Sequence, residues 1–207
     1  MKLKKNVKIT LVVILFVILV GAGFYAYKTY FTKPVVTETK ILNSIEEFGY
    51  TLKDNKSKEY GKKFNELVKI LGQDSIDEES YVSKITEMFI LDFYSLNEKT
   101  AKTDIGGVEF VHPDILQNFL QNAENTYYKY VESNIYNNRK QDLPTVSEIS
   151  IDSIEKVSYG YSGKTDEAAY KVKVNWTYTD AKYDDYQKNA TLIFVHENKI
   201  LYLVELQ

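Results

Sequence analysis

The chain has 207 residues, with 26 Lys and Arg against 29 Asp and Glu, 18 tyrosines and no cysteine. The absence of cysteine excludes disulfides, thiol nucleophiles and zinc–thiolate sites together. The first 33 residues carry six lysines and no acid, so a net charge of −3 for the whole leaves −3 − 6 = −9 for the rest, a poor partner for nucleic acid or anionic lipid.

Residues 1–8 form a basic tail with Lys2, Lys4, Lys5 and Lys8. Ile9–Tyr27 follows without a charge, long enough as a helix to cross about 30 Å of hydrocarbon. Tyr25, Tyr27, Tyr30 and Phe31 suit an interfacial aromatic belt. The lysine excess ahead of the segment puts the N-terminus in the cytoplasm and everything after Phe31 outside. The competing expectation is a signal peptide cut near Val20-Gly21-Ala22. Against it, apolar and aromatic residues continue past that point. The expected organisation is therefore a tail over 1–8, a transmembrane helix over 9–27, a stalk over 28–44 and an extracytoplasmic domain over 45–207.

Ile45–Leu52 reads as a short strand or an irregular extended entry. Ser57 is a candidate N-cap for a helix whose apolar stripe is Tyr60, Phe64, Leu67, Val68 and Leu71, closed by Gly72. A second helix starts near Ser75 or Asp77, with Ser75 and Glu78 at capping-box spacing. It is apolar nearly all round (Tyr81, Val82, Ile85, Met88, Phe89, Ile90, Leu91, Phe93, Tyr94), as expected of a helix buried on more than one side. Asp104-Ile-Gly-Gly107 is a turn, and Val108–Val111 a short extended piece. Pro113 opens a third helix, whose stripe from Leu116 through Phe119, Tyr127 and Tyr130 carries it to about Tyr136.

After Pro144 the period changes from 3.6 to 2. Val146–Val157 is a strand with a slip between Ile151 and Ile154 that suggests a bulge. Tyr170, Val172, Val174, Trp176 and Tyr178 alternate with Lys171, Lys173, Asn175, Thr177 and Thr179, which predicts one buried and one wet face. Ala190–His196 and Lys199–Leu206 form a hairpin across Glu197-Asn198. Tyr159–Asp166 and Thr179–Lys188 are the expected loops.

Helices followed by antiparallel strands give an α+β class: about three helices packed on a curved antiparallel sheet of about four strands. An anchor, a short stalk, helices, a helix opening near a proline and a terminal four-strand meander, with phrases such as Asp104-Ile-Gly-Gly-Val-Glu-Phe110, resemble the nuclear transport factor 2-like (cystatin-like) cone over roughly residues 45–207. Such cones occur outside the membrane on single-pass proteins of bacterial conjugation and type IV secretion machines. The Lys/Asn/Tyr/Ile bias also resembles that of AT-rich bacterial genomes. The resemblance implies a protein-interaction domain in an envelope assembly, with other envelope proteins or a second copy of this chain as partners. The family's cones also serve as ligand pockets and enzymes, so fold alone leaves function open.

The residues carry little chemistry of their own. Asp92, between Phe89 and Phe93, has the setting of a buried carboxylate acting as base or ligand anchor, or of a helix-edge Asp bonded to a tyrosine or left in water. Asp92, Tyr94 and Trp176 are the candidates for a pocket, should the cone bind a small ligand or, less expectedly, act as an enzyme. Tyr183 and Tyr186, read as exposed loop tyrosines, are the interface candidates. His112 is expected to cap the third helix, and His196 to be solvated at a strand end. Asp180, Asp184 and Asp185 share a loop without EF-hand spacing. Gly106-Gly107 and Gly160-Tyr-Ser-Gly163 lack the setting of phosphate loops. The expectation is no catalytic residue, no cofactor, no metal and no nucleic-acid partner.

Overall fold

The computed structural model describes residues 17–23 and 39–207. The expected anchor at 9–27 lies outside the described residues except for 17–23, which are helical. Among the described residues, no helix is long and apolar enough to cross a membrane.

The folded body opens with a hairpin of β1 (Ile41–Ile45) and β2 (Tyr50–Lys53), joined by a 3-10 turn that ends on Gly49 at φ 72°. The expected stalk therefore loses residues 41–44 to a strand. Phe48 in the turn and Tyr50 and Leu52 on β2 are all buried. Helix α1 (Lys58–Leu71) starts where Ser57 Oγ accepts from Tyr60 N–H at 3.2 Å. It buries Tyr60, Phe64, Leu67 and Leu71, one stripe of a 3.6 period. Helix α2 (Glu78–Tyr94) is capped by Asp77, whose carboxylate accepts from Glu79 N–H, so the Ser75 capping box is not used. It packs against both α1 and the main sheet, which is why nearly every face of it is apolar.

Val108–Phe110 is a 3-10 turn, and only Val111 pairs, in parallel with Leu203. Pro113 opens α3 (Pro113–Asn125) behind His112, whose Nδ1 accepts from Asp114 N–H at 3.2 Å. Helix α3 stops a full three turns short of Tyr136. The chain breaks from helical geometry at Thr126, and Tyr128 turns inward, where its hydroxyl donates to the Phe93 carbonyl at 2.6 Å and accepts from Gly106 N–H at 3.1 Å. Burying that phenol with both roles filled outweighs continuing the helix.

The main sheet is an antiparallel meander in the order β3 (Val146–Tyr161), β4 (Lys164–Tyr178), β5 (Asn189–Glu197), β6 (Ile200–Leu206). The slip expected near Ile151 is present between Ile151 and Ser153, with further shifts after Val146 and Val157. Tyr170, Val172, Val174, Trp176 and Tyr178 are all buried, and Lys173 and Thr177 are exposed. The loop expected over Tyr159–Asp166 is instead strand, closed by the two residues Ser162 and Gly163 at φ 46° and 75°. This long hairpin coils over the outer face of the sheet, because Tyr159 on β3 reaches Glu205 on β6 past two intervening strands. The coiling explains why Ala169, Ile193 and Val195, which the register puts on the outer face, are buried.

Candidate functional site

Asp92 sits on the last turn of α2 and is 4% exposed. Its Oδ1 accepts from Lys99 Nζ at 2.7 Å; its Oδ2 accepts from Lys56 Nζ at 2.6 Å and from Gly107 N–H at 2.7 Å. Burial pushes the carboxyl up, but the two ammonium groups outweigh it and hold the pKa at about 2. Asp92 is thus neither the free base nor the helix-edge carboxylate that its sequence setting suggests. It is an anion fully matched by two cations and an amide. Lys99 is itself buried, while Lys56 reaches in from the loop before α1.

The glycine pair makes this approach feasible. A Cβ on Gly106 would stand 2.2 Å from the Asp92 carbonyl oxygen, and one on Gly107 would stand 2.5 Å from the Phe89 ring. Gly107 also needs its φ of 72°. Next to this cluster Glu109 accepts from the Tyr60 hydroxyl and from Thr51 N–H at 3.2 Å. Burial raises its carboxyl above the usual range, against the pull of those two donors. A polar cavity of about 430 Å³ opens between the two carboxylates, beside Lys56, Thr51 and Asp104.

Tyr94 and Trp176 do come together, with ring centroids 4.2 Å apart, but away from that cavity. Tyr94 forms part of the wall of a second cleft of about 450 Å³ between the end of α2, α3 and β6. Phe93, Phe119 and Tyr127 line it too, with Phe93 and Tyr127 nearly parallel at 5.8 Å. Tyr127 pairs by its hydroxyl with Tyr178 at 3.1 Å, and Tyr178 donates on to the Gln187 carbonyl at 2.7 Å. Trp176 is buried, with its Nε1 lacking a hydrogen-bond partner.

The two interface candidates separate. Tyr183 is buried at 7% exposure, because the 3-10 turn Ala181–Tyr183 folds its ring back onto Tyr178, 6.3 Å away. Its reading as an exposed tyrosine is corrected. Tyr186 is 43% exposed, and its ring is braced edge-on by Tyr183 at 5.5 Å and Tyr178 at 6.3 Å.

His196 is also not the solvated strand-end residue expected. Its Nδ1 lies 2.8 Å from Asp166, which also accepts from its backbone N–H at 2.7 Å, and its Nε2 faces Glu78 at 3.5 Å. Glu78 in turn accepts from the Tyr170 hydroxyl at 2.8 Å. Among the aspartates of the β4–β5 loop, Asp180 caps the 3-10 turn and Asp184 pairs with Lys188 at 3.4 Å. Among the described residues, no group of three or more His, Asp or Glu side chains has the arrangement to hold a metal ion.

Sequence reasoning missed Lys56 and Lys99 as partners of Asp92, because they lie 36 and 7 residues away and outside any motif. It also gave no role to the single arginine, Arg139. That guanidinium donates to the carbonyls of Lys99 at 2.7 Å and Asn97 at 2.8 Å and clips the segment that carries Lys99. Comparison with family models, curated proteins and solved structures finds no match for this chain.

Proposed function

We propose that the chain is a membrane-anchored, extracytoplasmic protein-interaction domain of a bacterial envelope assembly, of the kind found in conjugation or secretion complexes. The topology part rests on the uncharged run Ile9–Tyr27 behind four lysines. The likeness to the nuclear transport factor 2-like cone is supported by the element order: helices α1 to α3, then a four-stranded antiparallel meander. A binding role is favoured over catalysis by Asp92, which Lys56, Lys99 and the Gly107 amide hold as a stable anion instead of raising it towards the range of a general base.

The observation that carries the interaction reading is Tyr186. Its ring is exposed yet held by two tyrosines, so a partner gains a large amphipathic contact without having to order it first. A photo-crosslinking amino acid at position 186 in growing cells is expected to give discrete adducts with other envelope proteins, or a dimer with a second copy. The same probe at exposed Thr177 is the control. No adduct at position 186, or the same adducts from both positions, would overturn the reading.

A further inference from the structure

The cleft between α3 and β6 has a chemistry that the interaction face does not use. Its inner wall is aromatic, from Phe93, Tyr94, Phe119 and Tyr127. Its rim is made of uncharged amides. Asn118 and Asn122 stand one turn apart on α3, both exposed, and Gln187 and Gln207 border the same space.

Charge narrows the ligand class. No Lys, Arg or His lines the cleft, so nothing there compensates a phosphate or carboxylate. Glu205 is the one acidic side chain, and each of its oxygens already accepts a hydrogen bond, from the Tyr159 hydroxyl and the Gln207 amide. Tyr94 and Tyr127 keep polar capacity at the wall. Burial raises the Tyr94 phenol, and the nearby Tyr178 adds to the rise. The Tyr178 hydrogen goes to Gln187, so Tyr127 must donate to Tyr178 and keeps its own oxygen free to accept.

Flat aromatic faces match the C–H faces of a sugar ring, and carboxamides with one donor and one acceptor side match vicinal hydroxyls. A purely apolar ligand would leave the Asn118 and Asn122 amides facing its surface without partners. The volume of about 450 Å³ lies in the range of small-ligand sites. We propose that this cleft binds a neutral, polyhydroxylated ligand: one or two rings of an uncharged glycan. The proposal stands independently of the assembly reading, since Tyr186 does not line the cleft.

The chain supplies its own reporter. Trp176 is the only tryptophan, and its ring lies tilted by 36° against Tyr94 with centroids 4.2 Å apart, so occupancy of the cleft should alter its emission. Full-length protein in lipid nanodiscs, free of sugar detergents, is titrated with chitotriose and maltotriose up to ~10 mM, a concentration that detects even weak binding. The expected result is a saturable fluorescence change with at least one of them. The double variant Asn118→Ala/Asn122→Ala should weaken it at least tenfold with an unchanged Tm, since both side chains are exposed. An anionic trisaccharide of similar size should bind at least tenfold more weakly than the neutral one. The proposal is overturned by no saturable change with either neutral sugar. It is equally overturned by binding that the double variant leaves intact, or by a preference for the anionic sugar or a fatty acid.

Discussion

Gly106 lies against the backbone of Asp92 so closely that a methyl group on it would stand 2.2 Å from the Asp92 carbonyl oxygen and 2.8 Å from Nζ of Lys99. One missing side chain therefore permits both the turn and the ion cluster. Gly106→Ala should cost about 2–4 kcal/mol, because the turn must retreat and take the Gly107 N–H away from Asp92. Gly163→Ala is the comparison. It has a φ of 75° but nothing within 4 Å, so it should cost only about 1 kcal/mol of backbone strain. Urea midpoints of the two variants decide the matter, and equal losses would mean that the close approach is unimportant.

Asp92→Asn removes one anion from between two ammonium groups. Lys99 is then buried beside a neutral amide, and the expected loss is about 3–5 kcal/mol. Linkage gives the pH signature. The folded-state pKa, at about 2, lies below the unfolded value, so the ionised carboxylate contributes stability above about pH 4, and this contribution is lost as pH falls towards 2. The Tm gap between wild type and Asp92→Asn should be constant from pH 7 to 5 and narrow below about pH 4. A gap that widened on acidification would contradict the cluster geometry.

How legible these features were depended on how local their causes are. The α1 cap at Ser57, the proline start of α3 and the alternation from Tyr170 to Tyr178 depend on neighbours a few residues away, and each could be read from spacing. The end of α3 could not, because it is decided by Tyr128 finding partners at Phe93 and Gly106. The hairpin tip was missed for a simpler reason. Ser162-Gly163 carries the two positive φ values of a tight turn, but the flanking tyrosines are held by β6 residue Glu205 and the carbonyl of His196, which no local pattern discloses. In the candidate site, Tyr94 and Trp176 could be read as apolar positions from hydrophobic period, and the structure brings their rings into contact. The lysines around Asp92, the buried state of Tyr183 and the Asp166–His196 pair depend on tertiary contacts.

The register of β4 gives a paired test. Val174 is 1% exposed and pairs with Ile151 and Ala190, whereas its neighbour Lys173 points outward. Val174→Asp would bury an unpaired carboxylate and should leave the domain unfolded at 25 °C. Lys173→Asp should shift stability by no more than about 0.5 kcal/mol. Far-ultraviolet circular dichroism and thermal melts separate the two, and similar melts would mean that the faces are exchanged.

The proposed topology makes the most direct prediction about the living cell. Four lysines precede the uncharged run and only Lys28 and Lys33 closely follow it, so the N-terminus should stay inside. Protease added to intact protoplasts should then digest a C-terminal tag and spare an N-terminal one. The two outcomes that oppose this are distinct. Protection of both tags would put the folded body in the cytoplasm. Recovery from the medium of a protein beginning near Gly23 would mean that the segment is a cleaved export signal, because a retained span of apolar residues does not leave the bilayer unaided. In that second case the −9 charge of residues 34–207 would still keep the released domain off anionic surfaces, and the cleft between α3 and β6 would face the same solvent.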